Sequence, residues 1–122
     1  GKRVTILGAA FKPDSDDVRD SPALAVARLI GTQGGVVTVT DPEAVANASR
    51  AFPELSFVTD TTEALTGADA VLLLTEWQEY RDLDPEVVGG LVAGRVLVDG
   101  RNVLDPHTWR SAGWTYRALG RP

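Results

Sequence analysis

The stretch Val4-Thr5-Ile6-Leu7-Gly8 decides how this chain folds. Apolar and β-branched residues run together without polar alternation and stop at a glycine, the pattern of a strand buried on both faces of a parallel sheet. Runs of the same kind recur at Val36–Thr40, Ser56–Val58, Ala70–Leu74, Arg95–Val98 and Thr115–Ala118, with longer segments of helical spacing between them. Ser21-Pro22 places a capping hydroxyl before a proline suited to the first helical position, and Leu24, Ala25, Arg28 and Leu29 follow at helical spacing. Asp41-Pro42, Asp84-Pro85 and Asp105-Pro106 repeat that cap-plus-proline pattern, Asp60 with Glu63 resembles a capping box, and Gly31, Gly67, Gly89 and Gly113 fall where helices should stop. The pattern predicts an α/β fold: a doubly wound, Rossmann-like open parallel sheet of about six strands, helices on both faces, strand order 3-2-1-4-5-6.

The rest of the composition narrows the class. At 122 residues the chain is expected to form a single domain over 1–122, and nothing in it reads as a linker, repeat or low-complexity tract. A net charge of −5 opposes a general nucleic-acid binder, so an anion site must be local. The most continuous apolar run, Ala70–Leu74, is far shorter than the roughly 20 residues of a membrane helix, and the chain reads as cytoplasmic, with no membrane partner. With no cysteine there is no disulfide, thiolate metal site or cysteine nucleophile here. With no methionine either, and Gly1-Lys2-Arg3 leading straight into the first apolar run, the chain is expected to be part of a larger protein.

In a doubly wound sheet, ligands bind beyond the carboxyl ends of the strands, near the point where strand order reverses. After the first strand comes a long polar loop, Gly8 to Asp20, in which only Gly8 fits the three-glycine turn that packs a pyrophosphate on backbone amides. Asp41 ends the second strand where a ribose-binding acid would lie, although its place before Pro42 suits a helix cap better. Lys12, Thr75-Glu76-Trp77 and Arg101 are expected to converge on one edge of the sheet. A lysine point charge and an arginine fork there would suit a phosphate, against the plain reading of solvated loop cations.

The loop Ala10-Phe11-Lys12-Pro13-Asp14-Ser15-Asp16-Asp17-Val18-Arg19-Asp20-Ser21-Pro22 closely resembles the signature of the carboxyl-terminal domain of nucleotide-sugar 6-dehydrogenases, the UDP-glucose and GDP-mannose dehydrogenase family. The resemblance continues through Asp41-Pro42, Thr75-Glu76-Trp77, Asp99-Gly100-Arg101-Asn102 and Gly113-Trp114 to the closing Gly120-Arg121-Pro122, and so spans essentially the whole chain. It implies a three-part enzyme: an amino-terminal NAD-binding domain, a central dimerisation helix and this nucleotide-sugar-binding domain. Such enzymes oxidise the sugar C6 alcohol to a carboxylate in two hydride transfers through a thiohemiacetal on a cysteine, which would lie upstream, so the resemblance gives this segment no catalytic residue. Phe11, Lys12 and Arg101 match residues that contact the nucleotide sugar, and Arg19 matches an arginine that reaches the NAD held by the other domain. Within the family the Thr75–Trp77 and Asp99–Asn102 forms favour UDP-glucose; relatives acting on GDP-mannose or UDP-N-acetylhexosamines share much of the loop.

Plainer roles suit the remaining polar residues. Asp16 and Asp17 suit loop backbone hydrogen bonding or the orientation of an arginine better than acid–base chemistry. His107, in the first turn after Asp105-Pro106, reads as a lone exposed histidine, and no metal site is expected. Trp77 suits packing more than stacking on a base, while Trp109 and Trp114 are expected to pack the last helix and strand. Two rival readings stand beside the resemblance. One is a receiver-like signalling module, with Asp60 near its phosphoacceptor position but Arg101 where it needs a lysine. The other is a free-standing NAD-binding domain, disfavoured by the single glycine.

Overall fold

A computed structural model describes residues 1–10 and 21–118. The chain runs β1 (Arg3–Leu7), α1 (Pro22–Thr32), β2 (Val36–Thr40), α2 (Val45–Ala51), β3 (Ser56–Phe57), α3 (Thr61–Leu65), β4 (Ala70–Leu73), α4 (Gln78–Arg81), α5 (Pro85–Gly89), β5 (Val96–Asp99), α6 (Pro106–Ser111) and β6 (Thr115–Ala118). The strands form one parallel sheet in the order β3-β2-β1-β4-β5-β6, as the sequence pattern predicts. Strand order reverses between β1 and β4, where Leu7 stands opposite both Thr40 and Leu73. The sequence-based strand bounds shift only at their ends: β1 starts one residue earlier at Arg3, β3 stops at Phe57, β4 stops at Leu73, and β5 starts one residue later and reaches Asp99.

The core sits against β1. Thr5, Ile6 and Leu7 are all at most 2% exposed although successive residues point to opposite faces, so the sheet is covered on both sides at its centre. On one side the Thr5 hydroxyl donates to the Ala64 carbonyl of α3 at 2.5 Å. α1 contributes Leu24 and Ala27 to the same core. β4 and β5 differ from the expectation of full burial on both faces. Their buried residues alternate, Val71 with Leu73 and Leu97 with Asp99, while Leu72 and Val98 between them are half-buried. Right-handed crossovers explain this, because the helices of the β1–β3 half and of the β4–β6 half fall on opposite faces.

Four of the expected caps form. The side chains of Ser21, Asp60, Asp84 and Asp105 accept from the amides of Leu24, Thr62, Glu86 and His107, each satisfying one orphan donor of a helix start. Asp41-Pro42 does not start a helix directly: residues 42–44 form a turn, and α2 begins at Val45 without a side-chain cap. Helix α4 also lacks a side-chain cap, which is why no start signal marks it in the sequence. Gly31 and Gly89 lie within the last turns of α1 and α5 instead of beyond them, whereas Gly67 and Gly113 take the left-handed conformation that ends a helix. Trp109 and Trp114 meet edge to face with centroids 5.0 Å apart, and the Trp114 indole donates to the Pro85 carbonyl at 3.0 Å. They join α5, α6 and β6 as expected.

Candidate functional site

At the carboxyl end of β1 the chain leaves the sheet through Gly8, whose amide donates to the Thr40 carbonyl at 2.8 Å. Its φ is +108°, and a Cβ there would stand 2.5 Å from the Thr75 side chain, so only glycine fits. The next two residues have all four of their backbone polar groups taken by side chains. The amides of Ala9 and Ala10 donate to Asp41 Oδ2 at 2.8 and 3.0 Å. The Ser21 hydroxyl donates to the Ala9 carbonyl at 2.7 Å, and the Thr75 hydroxyl donates to the Ala10 carbonyl at 2.8 Å. Asp41 itself is 2% exposed. Its Oδ1 accepts from the amides of Glu43 and Ala44, and the Trp77 indole donates to Oδ2 at 3.1 Å. A carboxylate can be buried this far only because charge-assisted donors surround it.

A second buried aspartate ends β5. Asp99 Oδ1 accepts from the Arg101 amide at 3.0 Å, and Oδ2 accepts from the amides of Val103 and Leu104, both at 2.8 Å. The Tyr116 hydroxyl donates to the same oxygen at 2.6 Å. Asn102 adopts φ +59°, the left-handed conformation that asparagine tolerates better than most residues, so the chain reverses immediately after Arg101. Arg101 is thereby displayed on the rim. Its Nε lies 3.6 Å from Glu76 Oε2, and the two side chains are 36% and 31% exposed. The rim thus gathers Arg101, Glu76, Thr75 and the exit of β1 beside the point where strand order reverses.

The arrangement bears on which anion the rim can take. In a dinucleotide-binding turn the amides after the first strand hold the pyrophosphate. Here the amides of Ala9 and Ala10 are occupied by the Asp41 carboxylate, and both oxygens of Asp41 are saturated with donors. The turn therefore does not fit an NAD pyrophosphate, and Asp41 has no acceptor left for a ribose hydroxyl. Among the described residues, Arg101 is the cation that this rim offers an incoming anion.

Residues 5–106 match the model of the UDP-glucose/GDP-mannose dehydrogenase family, UDP binding domain. The chain belongs to this family. It is 38% identical over 122 residues to the UDP-glucose 6-dehydrogenase of Rhizobium meliloti (strain 1021), covering 100% of this chain and 28% of that protein. Among solved structures, a UDP-glucose dehydrogenase from Pyrobaculum islandicum superposes with a TM-score of 0.78 at 36% identity, covering 96% of this chain and 25% of that one. The NDP-N-acetyl-D-galactosaminuronic acid dehydrogenase of Methanosarcina mazei Go1 superposes with a TM-score of 0.89 at 32% identity, covering 99% and 25%. The chain thus spans little more than a quarter of the length of the relatives it matches.

Of the residues that the family resemblance selects, Arg101 stands on the rim as described, whereas Phe11, Lys12 and Arg19 lie outside the described residues, as do Asp16 and Asp17. Trp77 is 6% exposed with its indole N–H bound to Asp41, so it packs and cannot stack on a base. His107 is exposed in the first turn of α6. Asp60 caps α3, and a receiver's strand order of 2-1-3-4-5 differs from the order here, which removes the signalling reading. Burial pushes the Tyr80 phenol far above its ordinary pKa, with the charges of Asp41 and Glu79 adding to it, so it stays protonated and donates to the Thr40 carbonyl at 3.3 Å. Among the described residues no cluster of His, Asp and Glu is placed to hold a metal ion, and no helix is long and apolar enough to cross a membrane. A cavity of about 430 Å³ lined by Arg28, Thr32, Val36, Glu54 and Leu55 opens at the opposite, amino-terminal ends of β2 and β3, away from this rim.

Sequence reasoning missed the partners of both buried aspartates. Asp41 shows in sequence as a cap or a ribose-binding acid, and nothing near it in the chain announces Ala9, Ala10 or Trp77. Tyr116 shows only as one residue of an apolar run.

Proposed function

We propose that this chain is the nucleotide-sugar-binding domain of a longer NAD-dependent dehydrogenase that oxidises UDP-glucose to UDP-glucuronate. The observation that carries the reading is Arg101 displayed on the rim beyond β5, beside the reversal of strand order, in a chain whose family model is a UDP binding domain. A guanidinium fork pairs well with a diphosphate. Glu76 keeps that fork engaged at 3.6 Å, a loose pair at which a doubly charged diphosphate would be the stronger partner. Phe11 and Lys12, which follow the clamped Ala10 in sequence, are assigned with Arg101 to the nucleotide sugar, and Arg19 to the cofactor. NAD would accept the hydride, and it would be held by an amino-terminal domain, because the β1 turn here is filled by Asp41. A central helix would pair two such chains. Without a cysteine this chain alone would bind the nucleotide sugar and not oxidise it.

The test uses the full-length protein. NADH formation is expected with UDP-glucose and not with this chain alone. Arg101→Ala removes a charge-assisted fork and is expected to raise the UDP-glucose Kd about ten- to a hundredfold by calorimetry, with NAD affinity unchanged. Arg19→Ala should instead weaken NAD more than the nucleotide sugar. Loss of neither affinity would overturn these assignments. The TM-score of 0.89 to the N-acetyl-galactosaminuronic acid dehydrogenase favours a second reading, a UDP-N-acetylhexosamine substrate. A higher kcat/KM for that sugar than for UDP-glucose would establish it.

A further inference from the structure

The fold places the Tyr116 hydroxyl, on the edge strand β6, against the same carboxylate that holds the Arg101 amide. Three fixed points determine where Arg101 stands. The Gly100 amide continues the sheet ladder by donating to the Leu73 carbonyl at 2.8 Å. Asp99 takes the Arg101 amide on one oxygen and the amides of Val103 and Leu104 on the other. Tyr116 then donates to Asp99 Oδ2 at 2.6 Å and also lies within 3.2 Å of the Leu104 carbonyl, so one phenol fixes both the carboxylate and the far end of the loop it gathers. Asp99 is fully buried and Tyr116 is 3% exposed, which puts neither in reach of a ligand. Arg101, by contrast, keeps a partly exposed side chain on the rim.

We infer that Asp99 and Tyr116 are positioning residues for nucleotide-sugar binding, acting through the backbone of Arg101. The inference rests on the assignment of Arg101 to the nucleotide sugar. A guanidinium fork is useful only when both of its N–H vectors meet the anion, and a shift of about 1 Å in the backbone that carries it is enough to lose one of them. Without the phenolic donor, Asp99 can rotate to satisfy its amides differently, and the reversal at Asn102 loosens with it.

The informative variant is Tyr116→Phe, which keeps the ring in the core and removes only the hydroxyl. Asp99→Asn supplements it if the fold survives, judged by thermal melting. UDP-glucose and UDP dissociation constants are measured by calorimetry on the full-length protein for wild type, Tyr116→Phe, Arg101→Ala and the double variant. Tyr116→Phe is expected to raise both Kd values about three- to tenfold and to raise KM with kcat nearly unchanged. In the Arg101→Ala background the same substitution should change Kd by less than about twofold, because the fork it positions is gone. A purely structural role would lower Tm and leave Kd unmoved in the folded protein. That outcome, with Arg101→Ala still weakening binding, overturns the inference alone. An equal loss in both backgrounds also overturns it, since the tyrosine would then act elsewhere. No effect of Arg101→Ala itself overturns the assignment of Arg101 and this inference with it.

Discussion

Asp41 and Asp99 occupy equivalent places at the carboxyl ends of β2 and β5, on either side of the reversal of strand order, and both are at most 2% exposed. Their partners differ in kind. Asp99 gathers amides two to five residues ahead of itself and draws one donor, the Tyr116 hydroxyl, from β6. Asp41 spends one oxygen on its own turn and the other on groups 31, 32 and 36 residues away. One aspartate shapes a loop that displays a cation; the other ties the exits of β1, β2 and β4 together. A buried carboxylate at a strand end is therefore no sign of chemistry by itself, and what its oxygens accept decides its role.

The largest expected effect tests that contrast directly. Asp41→Ala leaves the buried amides of Ala9 and Ala10 and the Trp77 indole without an acceptor, and should lower unfolding free energy by about 4 kcal/mol. Asp99→Ala frees amides nearer solvent and should cost about 1 kcal/mol less than that. Denaturant titrations with unchanged m-values compare the two, and equal losses would show that the two carboxylates carry the same structural weight. Gly8→Ala should cost about 3 kcal/mol, from its left-handed φ and the encroachment on Thr75, with nucleotide-sugar affinity falling as well. A stable Gly8→Ala variant would show that the β1 exit can shift aside. Trp77→Phe keeps a buried aromatic ring but removes one donor from Asp41 and part of the packed indole, for a loss of about 1.5 kcal/mol. No change in that titration would make the indole contact incidental.

The smallest effect lies far from both aspartates. Glu54 is exposed and accepts from Arg28, whose guanidinium also stacks 4.5 Å from the centre of the Phe52 ring. A backbone hydrogen bond, and then the Arg28 contact, hold the Glu54 carboxyl below its ordinary pKa of 4.5. Because the folded value is the lower one, the stabilisation is complete above 4.5 and fades as pH falls through the folded value. Glu54→Gln should therefore be slightly less stable than wild type at pH 7 and converge with it in acid, a difference that salt reduces. A gap that persisted at low pH would contradict this sign.

What was legible in the sequence follows the range of the interactions concerned. The strands showed as consecutive β-branched and apolar residues, and four caps showed because their donors lie two or three residues ahead. Strand order followed from the doubly wound pattern of alternating strands and helices. Arg101 showed through a local motif. The contacts that matter most at the rim join distant parts of the chain, and no window of sequence contains both ends of Ala10–Asp41, Ala10–Thr75 or Asp99–Tyr116. Trp77 packs as expected, but the same gap hid the acceptor of its indole N–H, and it hid the role of Asp41-Pro42, whose carboxylate serves a remote loop and its own turn together.

Since Ala9 and Ala10 are held by side chains from residues 21, 41 and 75, this clamp cannot close until β1, β2 and β4 have come together in register. Closing it requires the loop-closure entropy of separations of up to 65 residues to be overcome. Both amides share one acceptor, Asp41 Oδ2, which also holds the Trp77 indole, so releasing them to solvent means breaking a contact that joins three strand exits. In native-state hydrogen exchange they should trade deuterium only with the slowest amides of β1, making the edge of a binding surface as protected as the centre of the sheet.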